Sequence, residues 1–182
     1  LFSTGRGSRL TSAEAAYIAS DCGAKLVVSS RALEKTAAQL RREAPGVRHW
    51  LMIDGTAEGF ESWEDAVARH PATRIPAETA GTDMLYSSGT TGRPKGVFVP
   101  PDSPAIDATN PLIEVSRKVY QLTPDSISLS PAPLYHAAPL RFTMTVQRLG
   151  GTGVMMEHFD PEEYLRVGEK HKVTHSQQVP TM

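Results

Sequence analysis

One cysteine in 182 residues leaves the chain without an internal disulfide framework and without a metal site built only from thiolates. That residue, Cys22 in "SDCGAK", reads as a small residue at a helix end, not as a nucleophile. No stretch approaches the roughly 18 consecutive apolar residues that a membrane-spanning helix needs. The opening "LFSTGRGSRL" has the wrong order of charge and apolarity for a signal peptide, so a reducing cytoplasm is the expected compartment. Neither sign of charge dominates: 19 Lys and Arg face 20 Asp and Glu, for a net charge of −1. Such a balance argues against nucleic acid or an anionic membrane as the main partner, while leaving room for a local positive site.

What the chain does contain is an ordinary globular composition, 40% apolar and 21% charged, in a length that can bury a real core. Helix and strand patterns alternate throughout. "LTSAEAAYIASDCG" reads as a helix with a Thr11–Glu14 capping box and a left-handed cap at Gly23. "KLVVSS" reads as a buried strand. "RALEKTAAQLRREAPG" repeats Leu33, Ala37, Leu40 and Ala44 at helical spacing. "VRHWLMIDG" is a second strand, and "FESWEDAVARH" a short helix with Phe60, Trp63 and Val67 on one face.

After a connector, "NPLIEVSRKVYQLTP" has Asn110 as N-cap, Pro111 at the first helical position and a stripe of Leu112, Val115, Val119 and Leu122. "SISLS" is a strand, "LRFTMTVQRLGG" a helix closed by Gly150, and "TGVMME" a strand. "DPEEYLRVGEKHK" is a helix capped by Asp160, and "VTHSQQVPTM" begins as a strand. Strand–helix alternation of this kind predicts an α/β fold, mainly a parallel sheet flanked by helices. The pattern runs to both ends of the sequence, which therefore reads as part of a larger architecture.

Between "DML" and "VFV" lies "YSSGTTGRPKG". Phosphate groups need converging N–H and O–H donors, a backbone that can come close, and a cation. Successive amides in a tight loop make an anion-binding concavity, and glycines remove the Cβ atoms that would block it. Ser and Thr hydroxyls add donors, and a lysine adds a compact charge. The spacing is not that of the P-loop NTPases, whose lysine opens a helix. Here Lys95 is followed by Gly96 and the strand-like Val97-Phe98-Val99, so the motif reads as strand–loop–strand. On composition alone an idle hairpin turn would serve equally well.

The order Ser-Ser-Gly-Thr-Thr-Gly-x-Pro-Lys-Gly resembles the phosphate-binding signature of the adenylate-forming (AMP-binding) superfamily, which includes acyl-CoA synthetases, luciferases and peptide-synthetase adenylation domains. About forty residues on, "LSPAPLYHAAP" is similar to the next core motif of that superfamily, with His136 at the matching position. The other histidines, His49, His70, His158, His171 and His175, show no ligand spacing and read as structural or surface groups. The segments on either side also resemble acyl-CoA synthetases, and "LSPAPLYHAAPLRF" and "THSQQVPTM" look most like actinobacterial fatty-acid–CoA ligases.

The resemblance implies a partial N-terminal AMP-binding domain over residues 1–182, with a phosphate loop at 84–97 and a histidine motif at 131–139. It implies that Ser87, Ser88, Gly89, Thr90, Thr91, Gly92 and Lys95 cradle the β- and γ-phosphates of ATP, with Thr90 touching magnesium. His136 would line the carboxylate entry, and Lys95 and His136 would be the residues closest to the chemistry. Arg93 occupies a variable position and is given no role.

The implied reaction is attack of a carboxylate on the α-phosphate of Mg-ATP, release of pyrophosphate, and transfer of the acyl group from AMP to coenzyme A. Stabilising the charge on the departing phosphates should dominate the first half. The family's adenine motif, ribose-binding aspartate and C-terminal lysine domain lie outside these residues, so the 182-residue chain is expected to be nearly inactive alone. It is also expected to self-associate through apolar surface meant for missing elements. Two other readings stand beside this one: an acyl-AMP ligase that loads a carrier protein, and a non-catalytic module that binds nucleotide or a partner. The loop is followed by the Pro-rich "PPDSPAIDATNP" where the family more usually starts a helix.

Overall fold

The Thr11 hydroxyl accepts from the Glu14 amide and the Glu14 carboxylate accepts from the Thr11 amide, so the predicted capping box starts α1 (Ser12–Asp21). A cap of this kind contributes about 1 kcal/mol. Hydrogen bonds to Thr11 hold the Glu14 carboxyl below its ordinary value. Gly23, at φ 62°, turns the chain out of α1 as expected. The computed structural model describes residues 10–87, 94–100, 104–180 and 182. They fall into two compact units, one running to Ile106 and the other from Asp107.

In the first unit, β1 (Leu26–Ser30) pairs in parallel with β2 (His49–Ile53), and β2 with the short β3 (Glu61–Ser62). A 3-10 turn over Arg31–Leu33 leads into α2 (Glu34–Glu43), and α3 spans Trp63–Ala68. The core joins Ala16 and Ala19 of α1, Ala37 of α2, Ala44 and Val47 beyond it, Trp50 and Met52 of β2, and Phe60. Trp50 and Phe60 meet edge to face, with centroids 5.7 Å apart. Alanines on both helices let them approach closely, so the apolar stripe of α2 sits where its spacing placed it.

Two expectations fail in this unit. β1 is not buried: Leu26 is 47% exposed, because β1 is an edge strand of the order β1-β2-β3. Nor do Phe60, Trp63 and Val67 share a buried face. Phe60 precedes β3 and packs into the core, whereas Trp63 and Val67 on the six-residue α3 are 39% and 51% exposed. A two-residue strand between them breaks the helical register on which that face depended.

The unit ends in a separate antiparallel pair, β4 (Leu85–Ser87) and β5 (Lys95–Val97). An isolated bridge between Thr79 and Ala105 lies outside the strands.

The second unit is built on a parallel sheet of order β7-β6-β8, with β6 at Ile127–Ser130, β7 at Thr152–Met155 and β8 at His175–Ser176. Its helices are α4 (Pro111–Lys118), α5 (Ala137–Arg148) and α6 (Pro161–His171). The Asn110 side chain accepts from the Ile113 amide, and that of Asp160 from the Glu163 amide, as their N-cap signatures predict. Leu129 of β6 and Val146 of α5 are fully buried.

In α4 the buried positions are Ile113 and Ser116, and Leu122 follows them into the interior. Leu112, Val115 and Val119 of the predicted stripe are instead exposed. The side that turns inward holds one apolar residue and a serine, so the spacing of apolar residues alone points to the wrong face. The α/β expectation is met: both three-stranded sheets are parallel and flanked by helices.

Candidate functional site

The register of β4 and β5 sets Leu85 against Val97, Tyr86 against Gly96 and Ser87 against Lys95. The glycine- and hydroxyl-rich motif is therefore strand–loop–strand, as its sequence predicts. The candidate residues Ser88, Gly89, Thr90, Thr91 and Gly92, and the roleless Arg93, lie outside the described residues. The hairpin thus brings together the backbone of Ser87 and Lys95 at the two shoulders of the loop.

Neighbouring residues of a strand face opposite ways, and residues directly opposite on paired strands share a face. Tyr86 and Gly96 consequently share one face of the hairpin, and Lys95 leaves from the other. On the Tyr86 face the fit is close. A Cβ on Gly96 would come 2.5 Å from Met84 Cε and 2.8 Å from Tyr86 Cζ. Glycine is needed here for approach, because the ring lies where any larger residue would sit.

The Tyr86 hydroxyl donates to the Asp21 carboxylate, the last residue of α1, at 2.5 Å. Burial first, and the Asp21 hydrogen bond second, push the Tyr86 phenol far above its ordinary value of 10.0. The neutral phenol is the form that the folded state favours. Its contribution to stability is complete below pH 10.0 and is lost as the pH rises through the raised folded-state value. The stability advantage of wild type over Tyr86→Phe is therefore expected to be constant up to pH 10.0 and to shrink above it. Urea unfolding across that range checks this; an advantage that grows with pH would contradict it.

Pro94, the first described residue after the loop, lines an open groove of about 700 Å³ together with Ala13, Ala16, Tyr17 and Ser20 of α1 and Glu43 of α2. The end of the loop and α1 are thus neighbours along this groove.

His136 lies in the second unit as the N-cap residue of α5, with an exposed side chain that makes no capping hydrogen bond. Its ring lies 4.5 Å from that of Tyr135, tilted by 50°. The backbone does the capping work: the Leu140 amide donates to the His136 carbonyl. The side chain at this position takes no part in capping the helix. His175 behaves oppositely, with Nε2 at 2.9 Å from the Tyr120 carbonyl and Nδ1 at 2.7 Å from the Thr174 hydroxyl, a structural hydrogen-bonder. Cys22 is the half-buried C-cap of α1 and contacts the Ala19 carbonyl.

Among the described residues no group of three or more His, Cys, Asp and Glu could hold a metal ion, and Thr90 falls outside them. No described helix is long and apolar enough to cross a membrane. Sequence reasoning did not find Tyr86, Asp21 or the packing role of Gly96. The glycine carried a local signal, but the pairing with Asp21 spans 65 residues and carried none.

Known proteins with this pattern are numerous. Residues 3–182 match the family described as AMP-binding enzyme. Long-chain-fatty-acid–CoA ligase FadD13 of Mycobacterium tuberculosis is 32% identical over 161 residues, which is 84% of this chain and 29% of FadD13. The apo structure of MbtA from Mycobacterium smegmatis superposes with a TM-score of 0.73 at 28% identity, over 95% of this chain and 33% of MbtA. ATP-bound MatB from Rhodopseudomonas palustris gives a TM-score of 0.65 at 27% identity, over 95% of this chain and 33% of MatB. The chain thus spans about a third of the length of these relatives.

Proposed function

Because the chain belongs to the AMP-binding enzyme family, we propose that its 85–97 hairpin is the triphosphate grip of an enzyme that activates a carboxylic acid with ATP. The observation that carries this reading is the register of β4 and β5, which places Lys95 at the mouth of a loop whose sequence supplies glycines and hydroxyls. An ammonium there would meet the outer phosphate oxygens, while loop amides and the hydroxyls of Ser87, Ser88, Thr90 and Thr91 take the rest. When bound to the triphosphate, magnesium would share in neutralising its charge. Thr90 is the proposed residue touching it.

The chemistry follows from charge. A free carboxylate is a poor acylating agent, and joining it to AMP creates a mixed anhydride with a good leaving group. The protein's task in that step is to hold the triphosphate in line and stabilise the charge that builds on pyrophosphate. Lys95 is suited to that task because it leaves the hairpin face opposite the one packed on α1. His136, with its ring uncommitted to helix capping, is proposed to line the carboxylate entry.

The acceptor in the second half is proposed to be coenzyme A, giving a fatty acyl or related thioester, since FadD13 is a fatty-acid–CoA ligase. A carrier-protein thiol is the second acceptor that the same adenylate would serve. A cytoplasmic location belongs with this reading, because ATP and coenzyme A are supplied there. Self-association of the 182-residue chain does too, since Val97, Phe98 and Val99 next to the loop, Leu112 and Val115 of α4, and Val119 at its C-cap are exposed.

The test is carboxylate-dependent exchange of labelled pyrophosphate into ATP by the gene product that carries this chain, scanned over fatty acids. Exchange that requires both a carboxylate and an intact Lys95 is expected. ATP consumption without carboxylate dependence would point to a nucleotide-binding module of another kind.

A further inference from the structure

A hairpin of two three-residue strands has little to hold it. β4 and β5 form a sheet of their own, outside the β1-β2-β3 sheet of the same unit, and isolated two-stranded pairs are marginal in water. Yet this pair carries the loop. What fastens it is on the Tyr86 face. The ring packs across Gly96 and its hydroxyl reaches Asp21.

Asp21 is in an unusual place for a carboxylate. It is the last residue of α1, the helix has no basic residue in its last turn, and a negative charge at a helix C-terminus opposes the macrodipole. Local helix chemistry therefore gives no reason for an aspartate there. A donor arriving from the hairpin does. α1 is a firm post for such a contact: it begins in a capping box, and Ala16 and Ala19 are buried in the core with Ala37 of α2. The far end of the loop reaches the same helix, since Pro94 lines the groove along Ala13, Ala16, Tyr17 and Ser20.

We propose that Tyr86 and Asp21 are positioning residues that clamp the β4–β5 hairpin to the end of α1 and thereby set the direction in which Lys95 leaves β5. The clamp acts through the hairpin and touches no phosphate itself. Its effect on nucleotide rests on the triphosphate-grip reading, but the clamp itself does not. Gly96 belongs to the device, because a Cβ there would lift the ring and break the reach to Asp21. The Asp21 carboxylate needs only to accept, so asparagine should serve in its place.

The test uses the 182-residue chain with Tyr86→Phe, Asp21→Ala, Asp21→Asn and Lys95→Ala. Two readouts are taken: amide hydrogen exchange of peptides covering 84–98, and the dissociation constant for MgATP by calorimetry. Loss of a hydrogen bond to a charged acceptor should speed hairpin exchange about tenfold in Tyr86→Phe and Asp21→Ala, with α1 exchange unchanged. MgATP binding should weaken about three- to tenfold in both, beyond any change in the thermal midpoint, and Asp21→Asn should stay within about twofold of wild type.

Unchanged hairpin exchange in Tyr86→Phe and Asp21→Ala overturns the clamp, as does an Asp21→Asn variant as impaired as Asp21→Ala. A lowered thermal midpoint with MgATP affinity intact overturns the positioning role and leaves an ordinary stabilising contact. If wild type and Lys95→Ala bind MgATP alike, the grip reading fails by itself, and the clamp is judged on exchange alone.

Discussion

Replacing Lys95 by alanine is expected to lower the rate of carboxylate-dependent ATP–pyrophosphate exchange by about 100- to 1000-fold, the loss typical of removing one preorganised group that meets developing charge. The expectation follows from position. Lys95 stands opposite Ser87 at the shoulder of the loop, and the hairpin face it leaves from is the one away from Tyr86 and Gly96. Its side chain is exposed, as β5 is along its length, so the variant opens no cavity. A urea midpoint measured beside exchange separates loss of chemistry from loss of fold. Lys95→Arg should recover only part of the rate, because a planar guanidinium does not replace a compact ammonium at a fixed distance. Full activity in Lys95→Ala would remove the lysine from the mechanism.

Leu129→Ala is the second large effect, and it falls on stability. Leu129 is fully buried on β6, the central strand of the second unit, flanked by β7 and β8. Truncating a buried leucine costs about 2–5 kcal/mol, because apolar surface is lost and the cavity left behind closes only in part. Domains hold about 0.05–0.15 kcal/mol per residue, so a unit of this size has only several kcal/mol in total. The substitution should consume much of that. Urea unfolding followed by circular dichroism should show the second unit melting at markedly lower denaturant. A loss below about 1 kcal/mol would mean that the site repacks and that Leu129 is not the keystone its burial indicates.

These two residues also mark what the sequence made legible and what it hid. Local chemistry was readable. The Thr11–Glu14 box, the N-caps at Asn110 and Asp160 and the turn at Gly23 form as expected, because each depends on residues within one helical turn. The strand–loop–strand form of the phosphate motif was readable for the same reason: Pro94 and Gly96 flank a lysine that leads into a strand.

What failed depended on neighbours distant in the chain. The valines of β1 predict a buried strand, but its edge position is a property of the sheet order. The α4 stripe through Leu112, Val115 and Val119 has sound helical spacing and faces outward, since the side holding Ile113 and Ser116 is buried instead. The Tyr86–Asp21 contact could not be read at all, as nothing at either residue names the other.

Residues 85–97 are proposed to grip the phosphates of ATP, and hydrogen-exchange mass spectrometry of the chain with and without MgATP tests that directly. The prediction is nucleotide-dependent protection centred on the peptide spanning the β4–β5 hairpin, reduced by Lys95→Ala and produced also by magnesium tripolyphosphate, which has the phosphates without the nucleoside. Protection by MgATP that leaves this peptide untouched, or that persists unchanged in Lys95→Ala, would contradict it.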